Sequence, residues 1–487
     1  MSSLRSRLPA ITLAIAIAAL YLYKLDGVGM LSPDEPRYAA IGRAMAQTGD
    51  YITPKLWGAP WFEKPPLLYW MSAAGNLLGL NAELAARLPV ALLSLAFLGV
   101  TFVLLRREFG GEAAAAATAL LATSAGWLSF SELCLTDLPL AVFFSLAVFL
   151  ALPLLRAQPE TKLISARFLA MGACIGLGAL AKGLVPIALA VPFFWFLRRF
   201  TRKWWLAFVA FAAVALPWYV AIYVRNGYPF IQDFFLKHHL ERLYSAALQH
   251  VQPWYYYFPV ILAAVFPWTP LFGLLLGRGH AVWDERRRFL AVIAAFGFVL
   301  FSISLNKLPG YLLPLIPGLF ALIGAEFEVK RLNQVSRLWL IPCALLIALI
   351  PLFAPVLPAT LSLGRMSSVA FQGVSRTEIF YIAVPVAAVL LARRSWIGPL
   401  LVLCVVSGGI YLKYLDYPAL DEQVSARGLW REIKGISGEV CDGGASRDVI
   451  YGLNFYRGAP FPTCDKGKFR FVLRSRGHAK AILEPLK

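Results

Sequence analysis

After the first apolar segment of the chain comes the stretch Leu31-Ser32-Pro33-Asp34-Glu35-Pro36-Arg37-Tyr38. Two adjacent carboxylates and a basic residue lie here among prolines, which stiffen the backbone. A second polar stretch follows in Trp61-Phe62-Glu63-Lys64-Pro65-Pro66. Charged residues near membrane depth are costly and usually face a cavity or a partner. We therefore interpret the two stretches as one candidate site and the apolar remainder as its scaffold.

The composition is typical of an integral membrane protein. Of the 487 residues, 59% are hydrophobic and 15% are charged, whereas soluble domains carry about 25% charged residues. The 46 basic residues exceed the 27 acidic ones and give a formal net charge of +19. They form short clusters between apolar runs, so we expect contact with membrane lipids and no binding of nucleic acid. Residues 8–23 are interpreted as a retained first helix, since no clear cleavage site follows them.

Thirteen apolar runs are candidates to cross the membrane as helices, which takes about 20 residues each. The basic residues test this count, because cytoplasmic loops carry the excess of Lys and Arg. With the N-terminus inside, every basic cluster between the runs falls on the inner side. We therefore predict an all-α polytopic membrane protein with a cytoplasmic N-terminus and a C-terminus on the outer side. The runs are 8–23, 82–105, 113–131, 138–155, 167–181, 183–197, 204–224, 254–277, 289–306, 308–326, 337–358, 377–392 and 396–415.

Two loops, 24–81 and 225–253, lie on the outer side in this topology. In the first of them, Tyr38, Ile41 and Met45 recur at helical spacing. This pattern predicts a helix that lies in the membrane interface and borders a cavity. The second loop is also amphipathic and rich in aromatic residues, which favours a second interfacial segment.

The composition becomes polar near residue 416. A helical stretch is followed by short apolar runs that predict strands. We expect residues 1–415 to form the transmembrane catalytic domain and 416–487 to form a small soluble α/β domain outside the membrane. Cys441 and Cys464 are the only cysteines of this tail, and an oxidising compartment favours a disulfide between them.

Five motifs together resemble the GT-C class of membrane glycosyltransferases. Within that class the chain is most similar to bacterial lipid A aminoarabinose transferases and other relatives of protein O-mannosyltransferases. The resemblance covers about the first two thirds of the chain, and the outer tail is shorter than a lipid A aminoarabinose transferase would have. No Walker-type loop occurs, so an activated substrate must carry its own leaving group. The motifs are Asp34-Glu35-Pro36-Arg37-Tyr38-Ala39, Trp61-Phe62-Glu63-Lys64-Pro65-Pro66, Thr136-Asp137-Leu138-Pro139-Leu140, Ala181-Lys182-Gly183 and Lys307-Leu308-Pro309-Gly310-Tyr311-Leu312-Leu313-Pro314.

The resemblance implies an inverting transfer of a sugar from a polyprenyl (undecaprenyl) phosphate to a lipid, glycan or protein acceptor on the outer face. Asp34 matches the acid that opens the first outer loop of the family, which implies a general base. With a phosphate acceptor no base is needed, and Asp34 would orient the substrate instead. A helix-capping role is the alternative for both Asp34 and Asp137. Glu35 and Asp137 complete the set of catalytic candidates.

Six residues are candidates to bind the phosphate of the donor. Charge-assisted hydrogen bonds to a phosphate contribute about 1.5–3 kcal/mol each. For Lys182 and Lys307 the alternative is that the side chain reaches from the end of a span to the lipid headgroups. The candidates are Arg37, Lys64, Lys182, Arg242, Lys307 and Tyr311.

A divalent metal is a further hypothesis. Glu63 together with His238 or His239 offers the carboxylate and imidazole ligands that suit zinc or manganese, and magnesium is also considered. The alternative is that these histidines bind lipid or Glu241. Nothing in the sequence requires a metal cofactor.

A secondary transporter or lipid flippase is the alternative from another functional class. Such proteins place ionisable groups near the bilayer midplane, often in two related halves. In this sequence the unusual charges lie at the outer ends of the runs and no halves match. The pattern therefore favours the glycosyltransferase.

Overall fold

The computed structural model describes residues 2–156, 161–241, 251–276, 284–329, 337–353, 376–475 and 481–486. Most of these residues are helical, and five short strands accompany the helices. The helices are Ser2–Leu22, Asp34–Thr48, Leu67–Leu77, Ala82–Phe109, Gly111–Ala122, Ala125–Ser131, Asp137–Ala151, Thr161–Lys182, Val185–Leu189, Val191–Phe196, Trp204–Asn226, Tyr228–Ile231, Gln232–Glu241, Tyr257–Ala264, Gly273–Leu276, Glu285–Ile303, Ile316–Val329, Arg337–Ala348, Ile350–Phe353, Arg376–Leu391, Arg394–Gln423, Arg427–Ile433 and Arg447–Arg457. Single 3-10 turns are Leu152–Leu155, Arg198–Lys203, Trp254–Tyr256, Thr269–Phe272, Pro309–Leu315, Lys434–Glu439 and Cys464–Lys466. The strands are Lys55–Leu56, Ala59–Pro60, Val440–Asp442, Phe471–Ser475 and Ala481–Pro485.

Six helices of the described residues are long and apolar enough to cross a membrane, and two bent helix pairs raise this count to eight. The pairs are bent by 63° and 112°. Each of the thirteen predicted runs contains a helix or a helix pair, but several of these helices are shorter than a span. The count of thirteen spans therefore stays a prediction. The six helices are Ala82–Phe109, Asp137–Leu155, Leu163–Lys182, Arg198–Asn226, Pro309–Phe327 and Trp396–Gln423.

The helix predicted from the first charged stretch is present, and we name it the site helix, Asp34–Thr48. Pro36 lies in its first turn, where a missing backbone N–H does no harm. The helix ends at Gly49, whose φ of +68° is typical of a C-terminal glycine. Tyr38, Ile41 and Met45 are buried on one face, as their spacing predicts.

The site helix packs tightly on the helix Leu67–Leu77. A Cβ atom at Gly42 would lie 2.5 Å from the Cβ of Ser72, so only glycine permits this approach. The ring centroids of Tyr38 and Tyr69 are 5.8 Å apart at the same contact. The site helix is therefore held by close packing along its apolar face.

The C-terminal residues form a small α/β unit. The strand Val440–Asp442 pairs in parallel with Phe471–Ser475, which pairs antiparallel with Ala481–Pro485. The helix Arg447–Arg457, which we name the cap helix, contributes Val449, Ile450 and Leu453 to the core of the unit. The disulfide predicted between the two cysteines of the tail is present.

A helix crosses residue 416, where the sequence analysis places the start of the soluble domain. This helix, Arg394–Gln423, continues through that position. Lys413 pairs with Glu132 at 2.5 Å, and Asp421 accepts a hydrogen bond of 2.9 Å from Arg427. Part of the polar composition near residue 416 therefore belongs to a continuous helix, and the division of the chain into two domains there stays a prediction.

Candidate functional site

Arg37 lies between two carboxylates at the start of the site helix. It forms an ion pair with Asp34, one turn earlier, and a second one with Glu63, whose Oε2 lies 3.2 Å from Nη1. Its Nε donates a hydrogen bond of 3.0 Å to the carbonyl of Pro33. The side chain of Arg37 is 12% exposed and that of Asp34 is 34% exposed. The carboxylate of Asp34 is therefore partly accessible to solvent, whereas its partner Arg37 is largely buried.

Glu63 joins this pair to a second cation. The Nζ of Lys64 donates a hydrogen bond of 3.0 Å to Oε1 of Glu63, and the lysine side chain is 10% exposed. Asp34, Arg37, Glu63 and Lys64 thus alternate in sign, and we name them the charged row. The row carries no net charge when all four groups are ionised. A phosphate that binds Lys64 must compete with Glu63 for the ammonium group.

Aromatic side chains surround the charged row. The guanidinium carbon of Arg37 lies 5.3 Å from the ring centroid of Trp61, within the range of a cation–π contact. Burial, together with the nearby carboxylates, raises the pKa of Tyr38 well above its ordinary value, and burial does the same for Tyr69. Both phenols therefore stay protonated.

A second charged group lies at the start of the helix Asp137–Ala151. Lys182, the last residue of the helix Thr161–Lys182, donates a hydrogen bond of 2.6 Å to Oδ1 of Asp137. The same ammonium lies 4.7 Å from the ring centroid of Tyr311. A Cβ atom at Gly310 would lie 2.4 Å from Oδ1 of Asp137, so glycine allows the loop to close on the carboxylate. Three of the motifs therefore meet at one point.

Contacts between neighbouring elements connect the two charged groups. The backbone N–H of Cys134, three residues before Asp137, donates to the carboxylate of Glu35 at 3.1 Å. Phe62, which precedes Glu63, shares an apolar cluster with Leu180 near the end of the helix that carries Lys182. The cluster also contains Trp218, Ile222, Phe230 and Phe234. The two stretches that the sequence analysis interpreted as one site and the motifs of Asp137 and Lys182 therefore lie on elements in contact.

The cap helix of the C-terminal unit packs on the site helix. The ring centroid of Tyr451 lies 5.2 Å from the guanidinium carbon of Arg37 and 5.8 Å from the ring of Trp57. Arg43 donates a hydrogen bond of 2.6 Å to the carbonyl of Phe455. Sequence analysis did not include Tyr451 or these contacts. No local signal in the sequence could have supplied them, because they join the two ends of the chain.

One family model and two solved structures are similar to this chain. The model of the family "Dolichyl-phosphate-mannose-protein mannosyltransferase" matches residues 7–231. The crystal structure of ArnT from Cupriavidus metallidurans bound to undecaprenyl phosphate superposes with a TM-score of 0.73 at 26% identity, over 93% of this chain and 85% of that chain. The apo structure of the same protein gives a TM-score of 0.74 at 26% identity, over 94% and 86%. The chain is thus similar in fold to ArnT of Cupriavidus metallidurans.

Two curated proteins of similar sequence are named as arabinosyl transferases. Undecaprenyl phosphate-alpha-4-amino-4-deoxy-L-arabinose arabinosyl transferase 1 of Pseudomonas fluorescens is 32% identical over 344 residues, which is 66% of this chain and 58% of the relative. The corresponding arabinosyl transferase of Pseudomonas aeruginosa is 32% identical over 341 residues, 66% of this chain and 60% of the relative. The matched part of this chain thus spans about 60% of the full length of each of these relatives. Its six to eight candidate spans among the described residues make the chain a multi-pass membrane protein.

Glu35 does not fit the catalytic role predicted for it. Its carboxylate is fully buried and forms a bidentate ion pair with Arg87, with both N–O distances at 2.8 Å. The backbone N–H groups of Leu31 and Cys134 donate two further hydrogen bonds to it. All its acceptor positions are used and none faces a substrate. These contacts support a structural role for Glu35, and Arg87, an arginine within an apolar helix, is the signal that sequence analysis overlooked.

The position of Lys307 argues against the alternative in which its side chain reaches the lipid headgroups. Its Nζ donates hydrogen bonds to the carbonyls of Gln252 at 2.9 Å and Ser304 at 2.5 Å, and the residue is 4% exposed. It therefore does not reach out to lipid headgroups. Two of its three N–H donors are used by the backbone, so at most one is left for a phosphate.

The remaining predicted residues lie partly beyond the described structure. Arg242 is outside the described residues, and so are the side chains of His238 and His239. The metal site therefore stays a prediction. In the part of the chain that is described, no group of three or more His, Cys, Asp and Glu side chains could hold a metal ion. Glu63 is already neutralised by Arg37 and Lys64, so a dication there would have to displace a cation.

Proposed function

We propose that this protein is an inverting glycosyltransferase that moves a sugar from a polyprenyl phosphate, of the undecaprenyl type, to an acceptor at the outer face of a bacterial inner membrane. The observation that carries the proposal is the charged row, in which a half-open carboxylate, Asp34, adjoins two largely buried cations, Arg37 and Lys64. The names of the curated relatives support the donor. The acceptor is a lipid, a glycan or a protein.

In the proposed reaction a hydroxyl oxygen of the acceptor attacks the anomeric carbon of the sugar. The new bond forms on the face opposite the phosphate, and the bond between the anomeric carbon and the phosphate oxygen breaks. The electron pair leaves with polyprenyl phosphate. Asp34 accepts the proton of the hydroxyl group as general base, which contributes about 10²–10⁴ in rate. Asp137 orients Lys182 and is a second candidate to contact the sugar.

The cations act on the leaving group. A phosphodiester donor carries one negative charge, and the phosphate that leaves gains negative charge as the bond breaks. Arg37, Lys64 and Lys182 therefore interact more strongly with the transition state than with the bound donor. The hydroxyl group of Tyr311 adds an uncharged hydrogen-bond donor. Lys307 and Arg242 are further candidates to bind the same phosphate. Fixed cations in a water-poor site need no rearrangement during the reaction.

The proposed topology has thirteen spans, with the N-terminus in the cytoplasm and the C-terminal unit in the periplasm. This arrangement puts the site helix, the charged row and the cap helix on one side of the membrane. It is supported by the basic clusters between the apolar runs, which all fall on the inner side. A donor whose phosphate lies at the outer surface can then reach the site without crossing the bilayer.

Release of polyprenyl phosphate tests the proposal directly. The purified protein is incubated with a panel of polyprenyl-phosphate sugars, with and without membrane extract as acceptor source, and free polyprenyl phosphate is measured. We expect release that depends on the extract and is lost in Asp34→Asn. A chelator in a parallel reaction tests the need for a divalent metal. A flippase would move the donor between leaflets of a vesicle without releasing polyprenyl phosphate, and that outcome would refute the proposal.

A further inference from the structure

We propose that Tyr451, on the cap helix of the C-terminal unit, is a positioning residue of the candidate site. Its ring holds the guanidinium of Arg37 in the orientation that joins Asp34 to Glu63. This inference rests on the proposed function, and it adds to the site a residue of the C-terminal unit, outside residues 7–231, the part that the family model matches. The C-terminal unit is then part of the site and not an appended module.

The contacts of Arg37 show why a second ring is needed. Its guanidinium carbon lies 5.3 Å from the ring of Trp61 and 5.2 Å from the ring of Tyr451. Both distances are within about 6 Å, the range of a cation–π contact. Two carboxylates compete for this guanidinium, since Asp34 and Glu63 both pair with it. The rings restrict the plane of the guanidinium, so that it can serve both carboxylates at once.

Contacts at Tyr451 and towards the end of the cap helix hold this helix in place, which makes the ring a rigid support. Near the end of the helix, the hydroxyl of Tyr456 donates to Glu83 at 2.8 Å and accepts from the N–H of Met30 at 3.0 Å. Arg43 of the site helix donates to the carbonyl of Phe455. Trp57 lies against Tyr451 itself. These contacts tie the cap helix to four separate segments of the membrane part.

Trp57 adds an independent observation. It is a non-glycine residue with a φ of +51° in the turn between the strands Lys55–Leu56 and Ala59–Pro60. Such a backbone costs about 1–3 kcal/mol and persists where the surroundings enforce it. Here the strained turn brings the indole ring against Tyr451. The strain therefore supports the contact between the membrane part and the cap helix.

Loss of the ring is expected to affect turnover more than donor binding. Without Tyr451 the guanidinium of Arg37 gains freedom, and the half-exposed pair with Asp34 is the weaker of its two ion pairs, because water screens it more. Lys64 stays attached to Glu63 through a contact that does not involve Tyr451. The base then loses its orientation while a main cation of the phosphate site is retained.

The test compares two substitutions at one position. Tyr451→Phe keeps the ring face, whereas Tyr451→Leu keeps apolar bulk on the cap helix and removes the ring face. We expect Tyr451→Phe to transfer sugar like the parent and Tyr451→Leu to lower kcat by about 2- to 30-fold relative to it. The affinity for a polyprenyl-phosphate analogue should change by less than about 2-fold. Arg447→Ala, at an exposed position of the same helix, is the control and should leave kcat unchanged.

Two outcomes would overturn the inference: equal kcat for the Phe and Leu variants, or a loss in the Leu variant that a lower unfolding temperature explains. A double-mutant cycle of Tyr451→Leu with Arg37→Gln, read as thermal unfolding, tests the contact without any activity. Non-additive effects are expected for residues in contact. If the parent protein releases no polyprenyl phosphate, the proposed function has failed. The cycle then decides alone whether Tyr451 positions Arg37, and additive effects would refute it.

Discussion

Arg87 of the helix Ala82–Phe109 and Glu35 of the site helix form a bidentate ion pair in which both N–O distances are 2.8 Å. Arg87 also donates to the carbonyls of Leu25, Val28 and Gly29. One arginine therefore joins a candidate membrane helix, the segment 25–29 and the start of the site helix. The pair fixes the element that carries Asp34 and Arg37.

Removal of one partner of this pair should destabilise the protein. Arg87→Ala leaves the buried carboxylate of Glu35 without its cation, and breaking such a pair costs about 3–5 kcal/mol. We expect a marked fall in the unfolding temperature of the purified protein. The double variant Arg87→Met with Glu35→Leu removes both charges and should recover much of the loss. A stable Arg87→Ala protein that lacks only transfer activity would instead return Glu35 to the catalytic set.

Sequence reasoning located the site because its polar groups contrast with their apolar surroundings. Asp34 and Arg37 are one helical turn apart, so a single local element brings them together. Asp137 and Lys182 each lie at the end of a helix, where a charge is tolerated, and each belongs to a recognised motif. Local spacing and charge were sufficient for Asp34 and Arg37, whereas Asp137 and Lys182 were selected through the resemblance of their motifs to a known family.

The other contacts could not be derived in this way. Glu35 has the same local surroundings in the sequence as Asp34, and only its partner Arg87, 52 residues away, separates their roles. The contact of Arg43 with Phe455 spans 412 residues. Nothing in a local pattern reports such a tertiary contact. The helix through residue 416 was missed for a related reason, because paired buried charges have the composition of a solvated segment.

The pair of Asp137 and Lys182 predicts opposite effects on donor binding. Lys182→Met removes a cation of the phosphate site, and loss of a contact of about 1.5–3 kcal/mol weakens affinity roughly 10- to 150-fold. Asp137→Asn removes the anion that competes for Lys182, so affinity for a polyprenyl-phosphate analogue should be retained or increase. Both variants should transfer sugar more slowly than the parent. Equal weakening of binding in both would contradict the placement of the phosphate at Lys182.

The disulfide of the C-terminal unit should support activity as well as stability. Cys441 and Cys464 are 23 residues apart, and the loop they close contains the whole cap helix. A crosslink over such a loop contributes about 3 kcal/mol by restricting the unfolded chain. The double variant with serine at both positions should unfold at a lower temperature and transfer sugar more slowly. Labelling of both thiols before any reduction would show that the bond does not form.

The topology predicts where reporters work. A reporter that is active only outside the cytoplasm should function when fused after Lys487. It should fail when fused after residue 283, before the basic start of the helix Glu285–Ile303. A matched reporter that is active only in the cytoplasm should give the reverse pattern. Two fusions on the same side of the membrane would contradict the proposed topology.

Substitutions of Asp34 and of Lys64 should have different effects on turnover and on donor binding. The base acts only in the transition state, whereas the phosphate is already bound in the ground state. Asp34→Asn keeps the shape of the side chain and removes its charge. With a hydroxyl acceptor we expect transfer to fall by about 10²–10⁴ while donor binding is retained.

Lys64→Met keeps most of the length of the side chain and removes the ammonium group that Glu63 holds. Donor affinity should fall roughly 10- to 150-fold, as one charge-assisted contact is lost. Both variants are measured by binding of a polyprenyl-phosphate analogue and by single-turnover transfer, with thermal unfolding as the control for folding. Normal transfer by Asp34→Asn would assign the base to another residue, and unchanged donor affinity in Lys64→Met would place the phosphate away from the charged row.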